Sequence, residues 1–160
     1  MSAKVGSPAP DFTLAATDGM PSSRRDITLS ELRGQPVVLV FYPADASPVC
    51  TVQLTSYTND IGRFAEVGAT VLAISPQSIA DHERFSRALG GFAFPLLADQ
   101  HKEVAEAYGV LGPLGFYKRS VFVIDAEGIV SWAHRATAGL TFRPVDEIVE
   151  AVEAANAPAG

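Results

Sequence analysis

Val37-Val-Leu-Val-Phe-Tyr42-Pro43-Ala-Asp-Ala-Ser47-Pro48-Val49-Cys50 is the stretch on which the reading of this chain turns. Val37 to Tyr42 is a continuous β-favouring run without polar alternation, the pattern of a strand buried on both faces. Ser47 and Pro48 then open a helix. Serine is a strong N-cap, and proline suits the first helical position because its missing N–H would have had no partner there. With Ser47 as N-cap, Cys50 falls in the first turn, just past the end of a buried strand, where α/β sheets gather ligands. Unpaired N–H groups and the positive end of the helix dipole favour an anionic sulfur at such a place.

Outward from this stretch, Leu54, Tyr57, Ile61 and Phe64 are spaced by three and four, giving the helix one apolar face, and the weak helix formers Thr55 to Asn59 predict a kink or break. Ala69–Ile74 reads as a second buried strand. Ser78 caps a helix running to about Leu89 and stopped by Gly90-Gly91. Phe94–Leu97 is a short strand that Pro95 marks as an edge or an irregular start, and Lys102–Tyr108 is a short helix. Ser120–Asp125 and Ile129–His134 flank a turn at Asp125–Gly128 and form an antiparallel pair. A last helix begins near Pro144, with Val145, Ile148, Val149 and Val152 on one face. Upstream, Phe12–Leu14 and Ile27–Leu29 read as strands around a turn at Asp18-Gly19, and Ser30–Gly34 as one helical turn with Ser30 as cap and Gly34 as stop. Buried strands alternating with helices require crossovers. The expectation is an α/β fold: a mixed central sheet with helices on both faces and an N-terminal strand pair.

The 160 residues suffice for one domain over 1–160, with 156–160 expected to fray. Twelve Lys and Arg against eighteen Asp and Glu give a net charge of −6 with no basic cluster, which argues against nucleic acid and anionic membrane surfaces as partners. Met1–Pro8 has no apolar core of a secretory signal, and Val37–Tyr42 is too short to span a bilayer, so a cytoplasmic location is expected. The single cysteine permits neither an internal disulfide nor a thiolate metal cluster. His82, His101 and His134 lack ligand-like spacing and are expected on a surface or a sheet edge. No phosphate-binding loop is present, and no cofactor is expected. A lone cysteine admits two readings, a small buried hydrophobe or a nucleophile. Ser47 and Pro43 likewise admit plain structural roles, as a cap and a strand terminator.

Pro43-x-x-x-Ser47-x-x-Cys50 resembles the Pro-x-x-x-Thr/Ser-x-x-Cys active-site motif of peroxiredoxins. Val38–Pro43 and Cys50-Thr51 look most like the bacterioferritin-comigratory (peroxiredoxin Q) subgroup. Ser7–Leu14, Leu29–Gly34, Tyr108–Val110 and Arg119–Asp125 resemble further segments of that family in the same order, from about residue 6 to residue 135. The resemblance implies a thioredoxin-like fold and a peroxide-reducing enzyme without cofactor. Cys50 would be the attacking cysteine. Arg119 would hold the thiolate and the peroxide, Ser47 would bond the peroxide oxygens, and Pro43 would shield the sulfur. Two positions depart from the subgroup: Thr55 stands where many relatives carry a resolving cysteine, and Gln53 where they often carry glutamate. A one-cysteine variant would need an external thiol, whether thioredoxin, glutaredoxin or a low-molecular-weight thiol, and both monomer and homodimer are compatible with the chain. The resemblance leaves two rivals, a thiol–disulfide oxidoreductase of the same fold and a non-enzymatic binding or chaperone-like module. Gly112–Phe116 is expected to be a loop near Arg119, or through Leu114 and Phe116 an oligomer contact.

Overall fold

Strand β3 (Val37–Phe41) is buried at every position and lies inside the sheet. A computed structural model describes residues 3–17, 24–43, 48–88, 92–112, 115, 117–135 and 143–156. Five β-branched or bulky apolar residues in a row leave no polar face, so β3 must be covered on both sides. It pairs in parallel with β4 (Thr70–Ser75) and antiparallel with β6 (Ser120–Ile124). With β1 (Thr13–Thr17), β2 (Arg24–Thr28), β5 (Leu96–Ala98) and β7 (Val130–Arg135), the order across the sheet is β2-β1-β5-β4-β3-β6-β7. The parallel steps β3→β4 and β4→β5 are bridged by helices, α1 (Pro48–Asn59) with α2 (Ile61–Glu66), and α3 (Ile79–Ala88). After β5 come α4 (Glu103–Tyr108), the β6–β7 hairpin and α5 (Val145–Asn156).

Alternation along the strands builds two cores. Leu39, Phe41, Leu72, Ile74, Phe122 and Ile124 face α4 through Val104, Ala105 and Tyr108. Val38, Val40, Val121 and Val123 face the opposite layer, where Cys50, Leu54, Tyr57, Phe64, Phe85, Ile148 and Val152 are buried. The mixed sheet with helices on both faces is therefore the observed architecture.

Several elements sit differently from expectation. The helix break falls at Asp60, just past the weak formers. The N-terminal strands are Thr13–Thr17 and Arg24–Thr28, so Phe12 and Leu29 lie outside them. The helical turn is a 3-10 turn over Leu29–Leu32, with Ser30 inside it: the Ser30 N–H donates to Asp11 Oδ1 at 2.9 Å. The turn ends at Leu32 with Arg33 extended as its C-cap, so Gly34, at φ +102°, lies one residue beyond the stop. Strand β5 is not an edge. It lies between β1 and β4 and starts after Pro95, whose carbonyl accepts the Ala73 N–H at 3.1 Å. His82 is fully buried, because its Nε2–H donates to the Leu97 carbonyl at 2.9 Å and Tyr42 Oη lies 3.5 Å from Nδ1. His101 is exposed and His134 is half-buried on the outer strand β7, as expected. Ser78 caps α3, its Oγ accepting the Asp81 N–H at 3.1 Å. The Asp18-Gly19 turn, Leu89 to Gly91, Leu114, Phe116 and the tail beyond Asn156 lie outside the described residues.

Leu72, 1% exposed at the centre of the α4-side core, carries much of that packing. Leu72→Ala is expected to cost about 2–5 kcal/mol in urea unfolding with little change in the m value. A loss below about 1 kcal/mol would mean the core collapses around the gap.

Candidate active site

Helix α1 begins at Pro48, which places Cys50 at its third position, and presents Cys50, Gln53, Leu54 and Tyr57 on its inner side. Those positions are separated by three and four residues, so one turn stacks over the next against the sheet. Arg119 arrives from the other direction. The β3–β6 register pairs Phe41 with Ser120, so the next step sets Arg119 alongside Tyr42. Arg119, Val121 and Val123 alternate onto the face that α1 covers. The guanidinium is thereby brought to the first turn of α1.

There it is 3% exposed and Cys50 is fully buried. Arg119 Nη2 donates to Cys50 Sγ at 3.2 Å, and Nη1 donates to Gln53 Oε1 at 2.6 Å. Gln53 Nε2 donates to Tyr57 Oη at 3.3 Å, and the Tyr57 hydroxyl donates to the Arg143 carbonyl at 2.7 Å, just before α5. A guanidinium taken out of water is costly unless its donors are met. Here a planar fork serves a sulfur and an amide oxygen together. Arginine stays charged at any working pH, so it presents a permanent cation to the sulfur. Burial pushes the Tyr57 hydroxyl up to about 12, against opposing contributions from the Gln53 hydrogen bond and from Arg119 and Arg143.

The structure thus brings Cys50 and Arg119 together. Pro43 lies half-buried at the bend two residues past β3. Ser47 lies outside the described residues. Thr55 is exposed on α1. Gln53, read from sequence as a departure, is the second partner of Arg119, and Tyr57, read only as an apolar-face residue, carries the bond to Arg143. The signal for both was their spacing of three and seven from Cys50. Among the described residues, no group of three or more His, Cys, Asp or Glu side chains is placed to hold a metal.

A buried cysteine in the first turn of a helix, with an arginine on its sulfur and a mixed sheet beneath, defines a thiol enzyme of thioredoxin-like fold. The family model described as AhpC/TSA matches residues 5–133. The chain belongs to this AhpC/TSA family, the peroxiredoxins, and is a thiol-dependent peroxidase. It is 37% identical over 162 residues to the chloroplastic 2-cysteine peroxiredoxin of Chattonella marina var. antiqua, covering 96% of this chain and 81% of that protein. It is 36% identical over 131 residues to the chloroplastic peroxiredoxin Q of Oryza sativa subsp. japonica, covering 81% and 58%. The solved structure of Mycobacterium tuberculosis AhpC superposes with a TM-score of 0.88 at 26% identity, covering 99% of this chain and 96% of that one. Among the described residues, no helix is long and apolar enough to cross a membrane.

Because the folded chain holds the Tyr57 proton to about pH 12 while an unfolded tyrosine releases its own near 10, only the unfolded state ionises between those values. Stability is therefore full below about pH 10 and falls as the pH rises toward 12. Tyr57→Phe is expected to flatten part of that alkaline fall in urea unfolding while lowering stability at pH 7 by about 1–2 kcal/mol, through loss of the bond to Arg143. An unchanged alkaline slope would count against the assignment.

Proposed function

We propose that Cys50 is the peroxidatic nucleophile and that Arg119, Ser47 and Pro43 form its site, with hydrogen peroxide, organic hydroperoxides or both as substrate. The observation that carries this reading is the 3.2 Å approach of Arg119 Nη2 to Cys50 Sγ, with both side chains buried. The thiolate attacks one peroxide oxygen: an S–O bond forms, the O–O bond breaks, and the other oxygen leaves with a proton as water or an alcohol. Sulfur is oxidised by two electrons, to the sulfenic acid, and the peroxide is reduced by two. Arg119, a planar cation already donating to the sulfur, stabilises both the thiolate and the charge that grows on the departing oxygen. Ser47 donates to the peroxide, and Pro43 keeps water from the sulfur.

Cys50 is the one cysteine in the 160 residues, so its sulfenic acid is resolved by a thiol from elsewhere. A first external thiol displaces water and leaves a mixed disulfide, and a second releases Cys50 reduced. Thioredoxin, glutaredoxin and low-molecular-weight thiols are the candidate reductants. The protein works in the cytoplasm, as a monomer or a homodimer.

Intact mass after brief exposure to one equivalent of hydrogen peroxide, with a sulfenic-acid trap present, tests this directly. The trap should add once, at Cys50, on the order of a hundredfold faster than with a free thiol. The adduct should fail to form when a competing thiol is present during the exposure and be absent from Cys50→Ser. Reaction at the pace of a free thiol would leave the site without a peroxidase role.

A further inference from the structure

Tyr117 and Arg119 are two residues apart, and in a regular strand their side chains would share a face of the sheet. They do not. Tyr117 is buried in the α4-side core, its ring centroid 6.1 Å from that of Phe41, whereas Arg119 reaches Cys50 on the α1 side. The chain therefore turns over between them, just before β6 begins at Ser120. Where it turns over decides how far the guanidinium enters the site.

Tyr117 is fastened on its own side. Its hydroxyl donates to Asp99 Oδ2 at 2.5 Å. Asp99 is 2% exposed, and its carboxylate also accepts the Val104 and Ala105 N–H groups, at 3.3 and 3.0 Å. Those bonds cap the start of α4 and fix the carboxylate to the framework, so it cannot follow a moving tyrosine. Burial, with the Asp99 hydrogen bond and charge adding to it, pushes the Tyr117 hydroxyl far above its ordinary range, so it remains a donor at working pH. Around this anchor, the Lys118 N–H donates to the Val110 carbonyl at 2.6 Å, Lys102 Nζ to the Gly115 carbonyl at 2.8 Å, and Ser120 Oγ to the Lys118 carbonyl at 2.9 Å.

We propose that the buried Asp99–Tyr117 pair is a positioning brace that sets the approach of Arg119 to Cys50 from the opposite face of the sheet. The brace touches neither sulfur nor peroxide. It rests on the peroxidase reading above, because it acts only through Arg119. Its loss is felt most where the guanidinium must meet a departing oxygen as well as the sulfur, and least in a reaction that asks only for the thiolate.

Two rate constants of Cys50, with hydrogen peroxide and with iodoacetamide at the same pH, therefore test it. Tyr117→Phe keeps the ring and removes one hydroxyl; Asp99→Asn keeps the shape and removes the charge. Each is expected to lower the peroxide-to-iodoacetamide ratio by about fivefold, the factor that corresponds to one net hydrogen bond of about 1 kcal/mol. The double variant should fall no further than the single ones, since both remove the same contact. A merely structural role would lower thermal stability with the ratio unchanged, and that result overturns the brace while leaving the peroxidase reading standing. If Tyr117→Phe fails to fold, Asp99→Asn decides the matter by the same ratio. A wild-type protein that reacts with peroxide no faster than a free thiol overturns both.

Discussion

A guanidinium buried against a sulfur is the interaction on which the rest of this structure depends. Arg119 is 3% exposed, and a cation so far from water is tolerated only where its donors are met. Cys50 and Gln53 take two of them, and both belong to one turn of α1. The helix must then lie at one height and one rotation over the sheet, and the β3–β6 register must deliver Arg119 to that point. A slip of one residue in that register would turn Arg119 to the α4 side and leave the sulfur without it.

The scaffold supplies that precision from both sides. Strands β3 and β6 are buried along their whole length, and the site stands where β3 ends and β6 begins. Tyr57 ties α1 to the chain entering α5 through the Arg143 carbonyl, so the helix that carries the sulfur is held at a second point two turns on. On the far face, Asp99 and Tyr117 hold the segment that carries the arginine. The Cys50–Arg119 pair thus lies at the edge of the α1-side core. It stands at the end of the sheet, and each core positions one member.

Much of this was legible in the sequence, for local reasons. A run such as Val37 to Tyr42 can only be an inner strand, and Val145, Ile148, Val149 and Val152 can only be a helix face. The Asp125–Gly128 turn identifies its hairpin without help from elsewhere, and Ser47-Pro48 marks the start of α1 even though Ser47 itself lies outside the described residues. The meeting of Cys50 and Arg119 was legible only through resemblance, because no local pattern joins residues 69 positions apart. What the sequence hid follows from the same distance effect. His82 looks like a surface histidine until Tyr42 and Leu97 are folded beside it. Pro95 looks like an edge marker until β1 covers that side of β5. Asp99 looks like a loop residue until α4 and Tyr117 converge on its carboxylate.

The central claim is that the charge of Arg119, more than the shape of its surroundings, makes Cys50 reactive toward peroxide. Arg119→Gln keeps a planar amide donor on a shorter side chain and removes the charge, so the second-order rate constant of Cys50 with hydrogen peroxide at pH 7 tests it, alongside circular dichroism to show the fold intact. The account predicts a loss on the order of a hundredfold with the fold unchanged, as for other positioned charge-stabilising donors. A folded variant that retains the wild-type rate to within about twofold would contradict it, because shape alone would then suffice.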